Sequence, residues 1–298
     1  MRKWLSLLLL LALLLCGCTQ NAPDATVPTE PESENLFVHF IDVGQADCTL
    51  LKYGDTEILI DAGNTADGQD VANYLRLLGV DEIELVVATH PHEDHIGGLA
   101  IVLKQFDVQA IWTNTVFYDS YAYDALFDRI EEYDIPLTHP QPGHQFASGE
   151  LELTVLGPVK QGYQDINDSS IVVMAQLGEK KFLFTGDMES IAEKDLLNSG
   201  ADVKADVLKV GHHGSYSSTS HSFLQAVDPD YALIHVGLDN EYGHPHDGPM
   251  DRLHDAQVQV YRTDRMSTVV AATDGDTIAF FWEQAKYLPT WLPGSNAA

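Results

Sequence analysis

Apolar, β-branched stretches alternate with amphipathic stretches along most of the chain. Short runs rich in Val, Ile, Leu and Phe, bounded by Gly, Asp or Asn, predict strands at 36–43, 48–53, 57–60, 85–88, 110–113, 151–156, 170–177, 181–184, 207–210, 231–236, 258–261, 268–272 and 277–282. Stretches with helical spacing predict helices at 68–78, 96–104, 122–133, 190–197, 218–226 and 249–256. This mixture predicts an α/β fold.

Two parts of the pattern repeat one order of strand, aspartate, helix, strand and histidine. In the first, a strand ends at Asp61 and a later strand ends just before His90. In the second, a strand ends near Asp187 and a later strand ends just before His212. A structural repeat would give two packed sheets whose strand ends meet at one site. Chance similarity is the alternative, because such units are common in α/β folds.

The densest group of chemically active residues directly follows the strand 85–88. Three histidines and two carboxylates occupy six positions there. Neutral nitrogen donors mixed with hard oxygen donors suit zinc, manganese or iron, and the end of a buried strand has no packing reason to carry them. His90 and His92 can hold one ion from an extended loop, while Asp94 and His95 can hold a second ion.

Further candidates follow the later strands. Asp187 ends an apolar strand, where an ionised carboxylate is costly without a cation, so it is the expected bridging ligand. Either His212 or His244 should be the last ligand of the second ion, with the other placed to touch substrate. The sequence does not rank the two. The candidate catalytic residues are Asp94, Asp187 and His213.

Several motifs together resemble a known family. The metallo-β-lactamase superfamily of metal-dependent hydrolases has motifs similar to IDAG at 60–63, HPHEDH at 90–95 and FTGD at 184–187. The hydrolase domain of ComEC-type DNA-uptake proteins has motifs similar to FIDVGQAD at 40–47, NDSSIV at 167–172, LKVGHHGS at 208–215 and YGHPH at 242–246. The resemblance covers residues 36–283. It implies a four-layer αββα sandwich with one or two divalent ions, zinc being favoured and manganese being the alternative.

The resemblance also implies roles for other residues. Asp61 matches an aspartate that supports the loop carrying the first metal ligands. It should therefore orient a histidine by contacting the ring nitrogen that does not bind metal. The superfamily places a further histidine ligand before the bridging aspartate, but this chain has NDSS at 167–170, as the ComEC-like subgroup does. Asn167, Ser169 or Ser170 is therefore expected to bind substrate, and the first ion to have fewer protein ligands. A simple turn into the next strand is the alternative.

The N-terminal segment differs in composition from the rest of the chain. Arg2 and Lys3 precede the apolar run 5–15, and the ending LCGC resembles the bacterial lipobox. This predicts a signal peptide at 1–17 and acylation of Cys18, with a plain signal peptide or an uncleaved anchor as the alternatives. The polar segment 18–35 predicts a disordered tether, followed by a hydrolase domain at 36–285 and a tail at 286–298. The protein should be exported and lipid-anchored to the outer face of the bacterial cytoplasmic membrane.

Charge narrows the choice of substrate. A net charge of −29 repels polyanions and argues against tight non-specific nucleic-acid binding, although bound divalent ions would leave phosphate chemistry open. The chain has no glycine-rich phosphate loop, dinucleotide fingerprint or nucleophile elbow. The favoured function is a surface-anchored phosphodiesterase or nuclease that uses a metal-activated water on DNA or a nucleotide. The alternatives are a metallohydrolase of a small ester or lactone and a non-catalytic metal-binding lipoprotein.

Overall fold

A computed structural model describes residues 35–282. The strands in chain order are β1 (Leu36–Phe40), β2 (Thr49–Tyr53), β3 (Thr56–Ile60), β4 (Glu82–Ile83), β5 (Leu85–Ala88), β6 (Asp107–Val108), β7 (Ile111–Thr113), β8 (Leu137–Thr138), β9 (Gln145–Ser148), β10 (Leu151–Gly157), β11 (Val172–Leu177), β12 (Lys180–Phe184), β13 (Val207–Lys209), β14 (Tyr231–Ile234), β15 (Gln259–Arg262), β16 (Val269–Thr273) and β17 (Ile278–Trp282). The helices are α1 (Gly68–Leu77), α2 (Glu93–Ile96), α3 (Leu99–Gln105), α4 (Tyr121–Glu132), α5 (Ser190–Ser199), α6 (His221–Val227), α7 (Asp247–Asp255) and α8 (Thr263–Met266). Two short 3-10 helices span Asn167–Ser169 and Gly211–Gly214.

The strands form two large mixed sheets. The first has the order β17-β16-β1-β2-β3-β5-β7-β8, and the second has the order β15-β14-β13-β12-β11-β10-β9. The strands β3, β5 and β7 run parallel in the first sheet, as β12, β13 and β14 do in the second. Because the carboxyl ends of parallel strands lie at one edge of a sheet, the loops that follow β3, β5, β12 and β13 can meet.

The core lies in three apolar layers. Side chains from alternate positions of both sheets, such as Val38, Phe40 and Phe182, fill the space between the sheets. The opposite face of the first sheet packs on α1, α3 and α4, and the opposite face of the second packs on α5, α6 and α7. Residues of one strand contribute alternately to two of these layers, because successive side chains point to opposite faces of a sheet. Helix, sheet, sheet and helix are therefore stacked in that order, which confirms the predicted four-layer sandwich.

The segment around the metal loop, residues 89–95, differs from the prediction. The helix predicted at 96–104 is two helices, α2 and α3, with Gly97 and Gly98 between them. A Cβ atom on Gly98 would overlap the carbonyl oxygen of Ala62, and one on Gly97 would overlap the amide of Thr65. The two glycines therefore allow the metal loop to pack directly against the backbone that follows β3.

Other departures are short elements without a local signal. The strands β4, β6, β8 and β9 were not predicted, and three of them are only two residues long. The helix predicted at 218–226 begins at His221, because the hydroxyl of Ser220 caps the Phe223 amide. Cys48 is fully buried with a free thiol.

Some predictions concern residues outside the described range. The signal peptide at 1–17, the acylated Cys18, nearly all of the tether at 18–35 and the tail at 286–298 lie there, so these boundaries stay predictions. Within residues 35–282, no helix has both the length and the apolar character needed to cross a lipid bilayer.

Candidate metal centre

The metal loop, residues 89–95, begins where β5 ends and is held by Asp61 from the end of β3. Asp61 accepts hydrogen bonds from the backbone amide of Thr89 at 2.9 Å and from its hydroxyl at 2.7 Å. The same carboxylate lies 2.8 Å from Nδ1 of His95. When Nδ1 of His95 donates to Asp61, Nε2 is left with its lone pair toward the cleft. Asp61 thus contacts His95 on the Nδ1 side of its ring.

Four side chains from both halves of the chain converge beyond this loop. Asp94, His95, Asp187 and His213, the four-residue cluster, each place a ligand atom within 4.8 Å of the others. Nε2 of His95 lies 3.2 Å from Oδ1 of Asp187, and Nε2 of His213 lies 3.2 Å from Oδ2 of Asp94. Asp94 and His95 belong to α2, whereas Asp187 follows β12 and His213 follows β13. The strand ends of the two sheets therefore meet at one site, as the sequence repeat predicts.

Two more histidine nitrogens, from His90 and His212, lie near the second oxygen of Asp187. Nε2 of His90 is 3.9 Å from Oδ2 of Asp187 and 3.0 Å from Nδ1 of His92. Nε2 of His212 is 3.8 Å from the same carboxylate oxygen. Asp187 thus presents Oδ1 to His95 and Oδ2 to His90 and His212, and Nε2 of His213 also lies 3.7 Å from Oδ2. This arrangement suits a carboxylate shared between two neighbouring ions.

Of the three later histidines, His213 lies inside the four-residue cluster, whereas the sequence favoured His212 or His244 as the last ligand of the second ion. His213 is inside the four-residue cluster and is buried. The His244 ring lies 6.2 Å from the His213 ring between centroids, and its Nδ1 is 3.3 Å from the side-chain nitrogen of Gln45. His244 therefore lies on the wall of the cleft, while Nε2 of His212 lies 3.8 Å from Oδ2 of Asp187.

The segment NDSS at 167–170 supports the site through internal hydrogen bonds. Oγ of Ser170 accepts from the Asp187 amide at 3.1 Å and donates to the Asn167 carbonyl at 2.7 Å. Oγ of Ser169 accepts from the Asn114 side chain at 3.0 Å. Of the three predicted substrate residues, only Asn167 lines the cleft. The Ser170 hydroxyl instead holds the Asp187 amide, and the Ser169 hydroxyl donates to the Ile166 carbonyl.

Unpaired buried atoms and local charge show that this set of residues fits a metal ion. Among the described residues, Nε2 of His95 and Oδ1 of Asp187 are buried without a hydrogen-bond partner. Burial alone would raise the pKa of Asp187, but the adjacent His95 and His213 lower it well below its ordinary value. Burial opposes protonation of His213, yet the carboxylates of Asp187 and Asp47 raise its pKa to about 10. The carboxylates thus favour positive charge here, and a divalent cation would satisfy the unpaired nitrogen and oxygen together.

The cluster opens into a cleft of about 530 Å³. The residues that line it are Gln45, Asn64, His92, Glu93, Asp94, Asn167, Asp187, His212, His213, Glu241, Tyr242 and His244, so no lysine or arginine is among the described lining residues. Tyr242 is 64% exposed and stacks on His244 with 5.7 Å between ring centroids. Tyr118 lies edge-on to His92 at 5.4 Å. The cleft therefore offers carboxylates, imidazoles and aromatic faces.

Sequence reasoning missed three charged residues around the cluster. Asp47 and Lys209 form an ion pair and are both buried. Glu189 contacts Nδ1 of His212 at 2.9 Å. The available signal was a lysine inside the apolar run of β13 and an aspartate directly before Cys48 and β2, since buried charges are rare unless they are paired.

Comparison with known proteins shows which family the sequence matches. The model of the family described as "Metallo-beta-lactamase superfamily" matches residues 41–237. "ComE operon protein 3" of Bacillus subtilis is 30% identical over 250 residues, which cover 78% of this chain and 32% of that protein. "Competence protein ComA" of Neisseria gonorrhoeae is 29% identical over 254 residues, covering 85% of this chain and 34% of the relative. The chain thus spans about a third of the length of these relatives.

Shorter matches and solved structures extend the comparison. "Ribonuclease J" of a Synechocystis strain is 35% identical over 100 residues, 30% of this chain and 14% of the relative. CmlA, a diiron beta-hydroxylase from Streptomyces venezuelae, is 15% identical with a TM-score of 0.52, covering 78% of this chain and 53% of the other. YhfI from Bacillus subtilis is 13% identical with the same TM-score, covering 80% of this chain and 100% of the other. At these identities the structural matches establish the fold.

Proposed function

The chain belongs to the metallo-β-lactamase superfamily, and from this membership we propose that it is a metal-dependent hydrolase of phosphodiesters, with nucleic acid or a nucleotide as substrate. The observation that carries the proposal is the four-residue cluster at the base of an open cleft, in which Nε2 of His95 and Oδ1 of Asp187 lie 3.2 Å apart and are buried without a hydrogen-bond partner. The names of the relatives, competence proteins and a ribonuclease, support the substrate class.

The residues of the site divide into ligands for two ions. A bound divalent cation would lower the pKa of a water molecule. It would also supply positive charge where negative charge develops on the attacked group. We assign one ion position to His90, His92 and Asp187, with His212 adjacent. We assign the other to Asp94, His95, His213 and Asp187. Nitrogen and carboxylate donors together favour zinc, and manganese is the alternative.

The remaining residues orient the ligands and receive substrate. Asp61 holds Nδ1 of His95, and Ser170 holds the amide of Asp187, so neither ligand has to reorganise. The Asn167 carboxamide and the His244 imidazole face the cleft, where they can donate hydrogen bonds to substrate oxygens. Tyr242 offers an exposed ring on which a nucleobase can stack. Hydrolysis in this scheme needs no covalent protein nucleophile.

One observation favours a second candidate function, hydrolysis of a small neutral ester or lactone. The described cleft residues include no lysine or arginine to bind phosphates, and the net charge is −29. Among the described lining residues, no side chain with a fixed positive charge would therefore help the ions to hold a long polyanion. The fold does not decide between the two substrates, because the same fold occurs in a diiron beta-hydroxylase.

The cellular location is a proposal drawn from the N-terminal sequence. We propose that Cys18 is acylated and that the protein is anchored to the outer face of the cytoplasmic membrane. Labelling with a radioactive fatty acid tests this: the wild-type chain should carry label, and Cys18→Ala should carry none. Equal labelling of both chains would contradict the assignment.

The catalytic proposal is tested with metal content and turnover of His92→Ala. The wild-type chain should contain one or two divalent ions and cleave a generic phosphodiester or single-stranded DNA, whereas His92→Ala should lose metal and activity. His254→Ala removes an exposed histidine on α7 and should behave as wild type. Unchanged turnover in His92→Ala would refute the site. Cleavage of a lactone alone would select the second function, and metal content without any turnover would indicate a non-catalytic lipoprotein.

A further inference from the structure

A buried ion pair lies directly behind the four-residue cluster. Asp47 is 4% exposed and Lys209 is 3% exposed, and their side chains contact each other. Asp47 precedes β2 in the first half of the chain, whereas Lys209 ends β13 in the second half. The pair therefore connects the two halves at the point where their candidate ligands meet. Neither residue lines the cleft, so neither can touch substrate.

The pair contacts every part of the cluster. The backbone amide of Asp47 donates to the carbonyl of Asp94 at 3.0 Å. The Asp47 carboxylate lies 3.3 Å from Nδ1 of His213 and 3.8 Å from Nδ1 of His95. The ammonium of Lys209 donates to the carbonyl of Gly186, the residue before Asp187, at 3.2 Å. All four members are thus adjacent to one charged pair through a side chain or through backbone.

Charge explains why the pair acts on the imidazoles. Nδ1 of His213 donates to the His235 carbonyl at 3.1 Å, with the Asp47 carboxylate beside it. A carboxylate on the Nδ1 side keeps the proton there and leaves Nε2 free to bind a cation. His212 and His213 both have left-handed backbone, with φ of 48° and 52°, which non-glycine residues rarely adopt. Contacts from outside the turn must therefore hold it in place.

We propose that the Asp47–Lys209 ion pair positions the four-residue cluster for metal binding, with Asp47 acting on the two histidines and Lys209 acting on Asp47 and on the backbone before Asp187. This inference rests on the proposed function, because it assumes that the cluster binds a metal. Both are positioning residues. Their removal should weaken metal binding even when the fold is intact.

The test measures metal affinity and stability separately in the full-length chain. Asp47→Asn, Lys209→Met and the double variant are titrated with Zn²⁺ and Mn²⁺ against a chromophoric chelator, and their unfolding is followed without metal. Each single variant removes the opposite charge that lies nearest to one buried charged group and should be less stable than wild type. The double variant has no unpaired charge and should recover stability. In all three we expect the dissociation constant of the metal to rise about 10- to 100-fold, with an altered visible spectrum of the Co²⁺-loaded protein.

A matched control separates positioning from general loss of a buried carboxylate. Glu193 is 1% exposed and accepts from the backbone amides of Thr219 and Ser220, away from the cluster. Glu193→Gln should lower stability and leave metal affinity and the Co²⁺ spectrum unchanged.

Three outcomes would overturn the inference. Wild-type metal affinity and an unchanged Co²⁺ spectrum in the double variant would show that the pair is structural only, and the proposed function would stand. Failure of both single variants and the double variant to fold would assign the pair to folding. A wild-type chain that binds neither ion would overturn this inference and the proposed metal centre together.

Discussion

His39 should make the protein sensitive to acid between pH 7 and pH 5. It lies on β1, is 2% exposed and has its Nδ1 3.0 Å from the hydroxyl of Tyr74 on α1. Burial, assisted by the charge of Lys52, lowers the pKa of His39 from 6.5 to about 3. Below pH 6.5 the unfolded chain therefore binds a proton that the folded chain excludes, and stability falls as the pH approaches 3.

The size of the effect follows from this pKa shift. Between pH 7 and pH 5, a shift of this size removes about 2 kcal/mol from the free energy of unfolding. Urea unfolding of wild type and His39→Gln at both pH values measures this change in the free energy of unfolding. Both chains contain the four-residue cluster, so the contribution of its titration cancels when the two chains are compared. The pH-dependent loss should be about 2 kcal/mol smaller in His39→Gln. His254→Gln, at an exposed position, should retain the wild-type loss, and an equal loss in His39→Gln would refute the reasoning.

Three further predictions concern the site. Gly98→Ala should lower both the thermal midpoint and the metal content, because its Cβ would overlap the Ala62 carbonyl. Gly248→Ala is the control, because its Cβ would meet only the Arg252 side chain at 3.4 Å, and it should leave the metal content unchanged. Tyr242→Leu should raise KM for single-stranded DNA roughly fivefold or more by removing a stacking surface, and Tyr242→Phe should restore it; equal KM in all three chains would exclude stacking. A chelator should lower the thermal midpoint of wild type but not that of Asp187→Asn, and an equal decrease in both would show that Asp187 binds no ion.

Much of the architecture could be predicted because it has a local signal. The alternation of Leu36, Val38 and Phe40 marks a strand that packs on a second sheet, and the same signal recurs in most long strands. The metal loop is equally local, since His90, His92, Asp94 and His95 lie within six positions. The fold class is therefore confirmed, together with the convergence of both halves of the chain.

The rest depends on tertiary structure. His212, His213 and His244 all follow strands, and the choice among them depends on a left-handed turn at 212–213 that has no unique sequence signature. The ion pair between Asp47 and Lys209 joins residues far apart in sequence, so each charge looks isolated in its own segment. Strands of two residues, such as β4 and β6, exist because a neighbouring segment offers backbone partners.

The order in which the candidate ligands occur along the chain has a consequence for biosynthesis. The segment with His90 is synthesised early, but Asp187 and His213 come from the other sheet, after more than half of the polypeptide has been made. A ribosome-bound intermediate that ends before Asp187 lacks the partners that complete the four-residue cluster. The four-residue cluster should therefore assemble only when the second sheet has docked on the first.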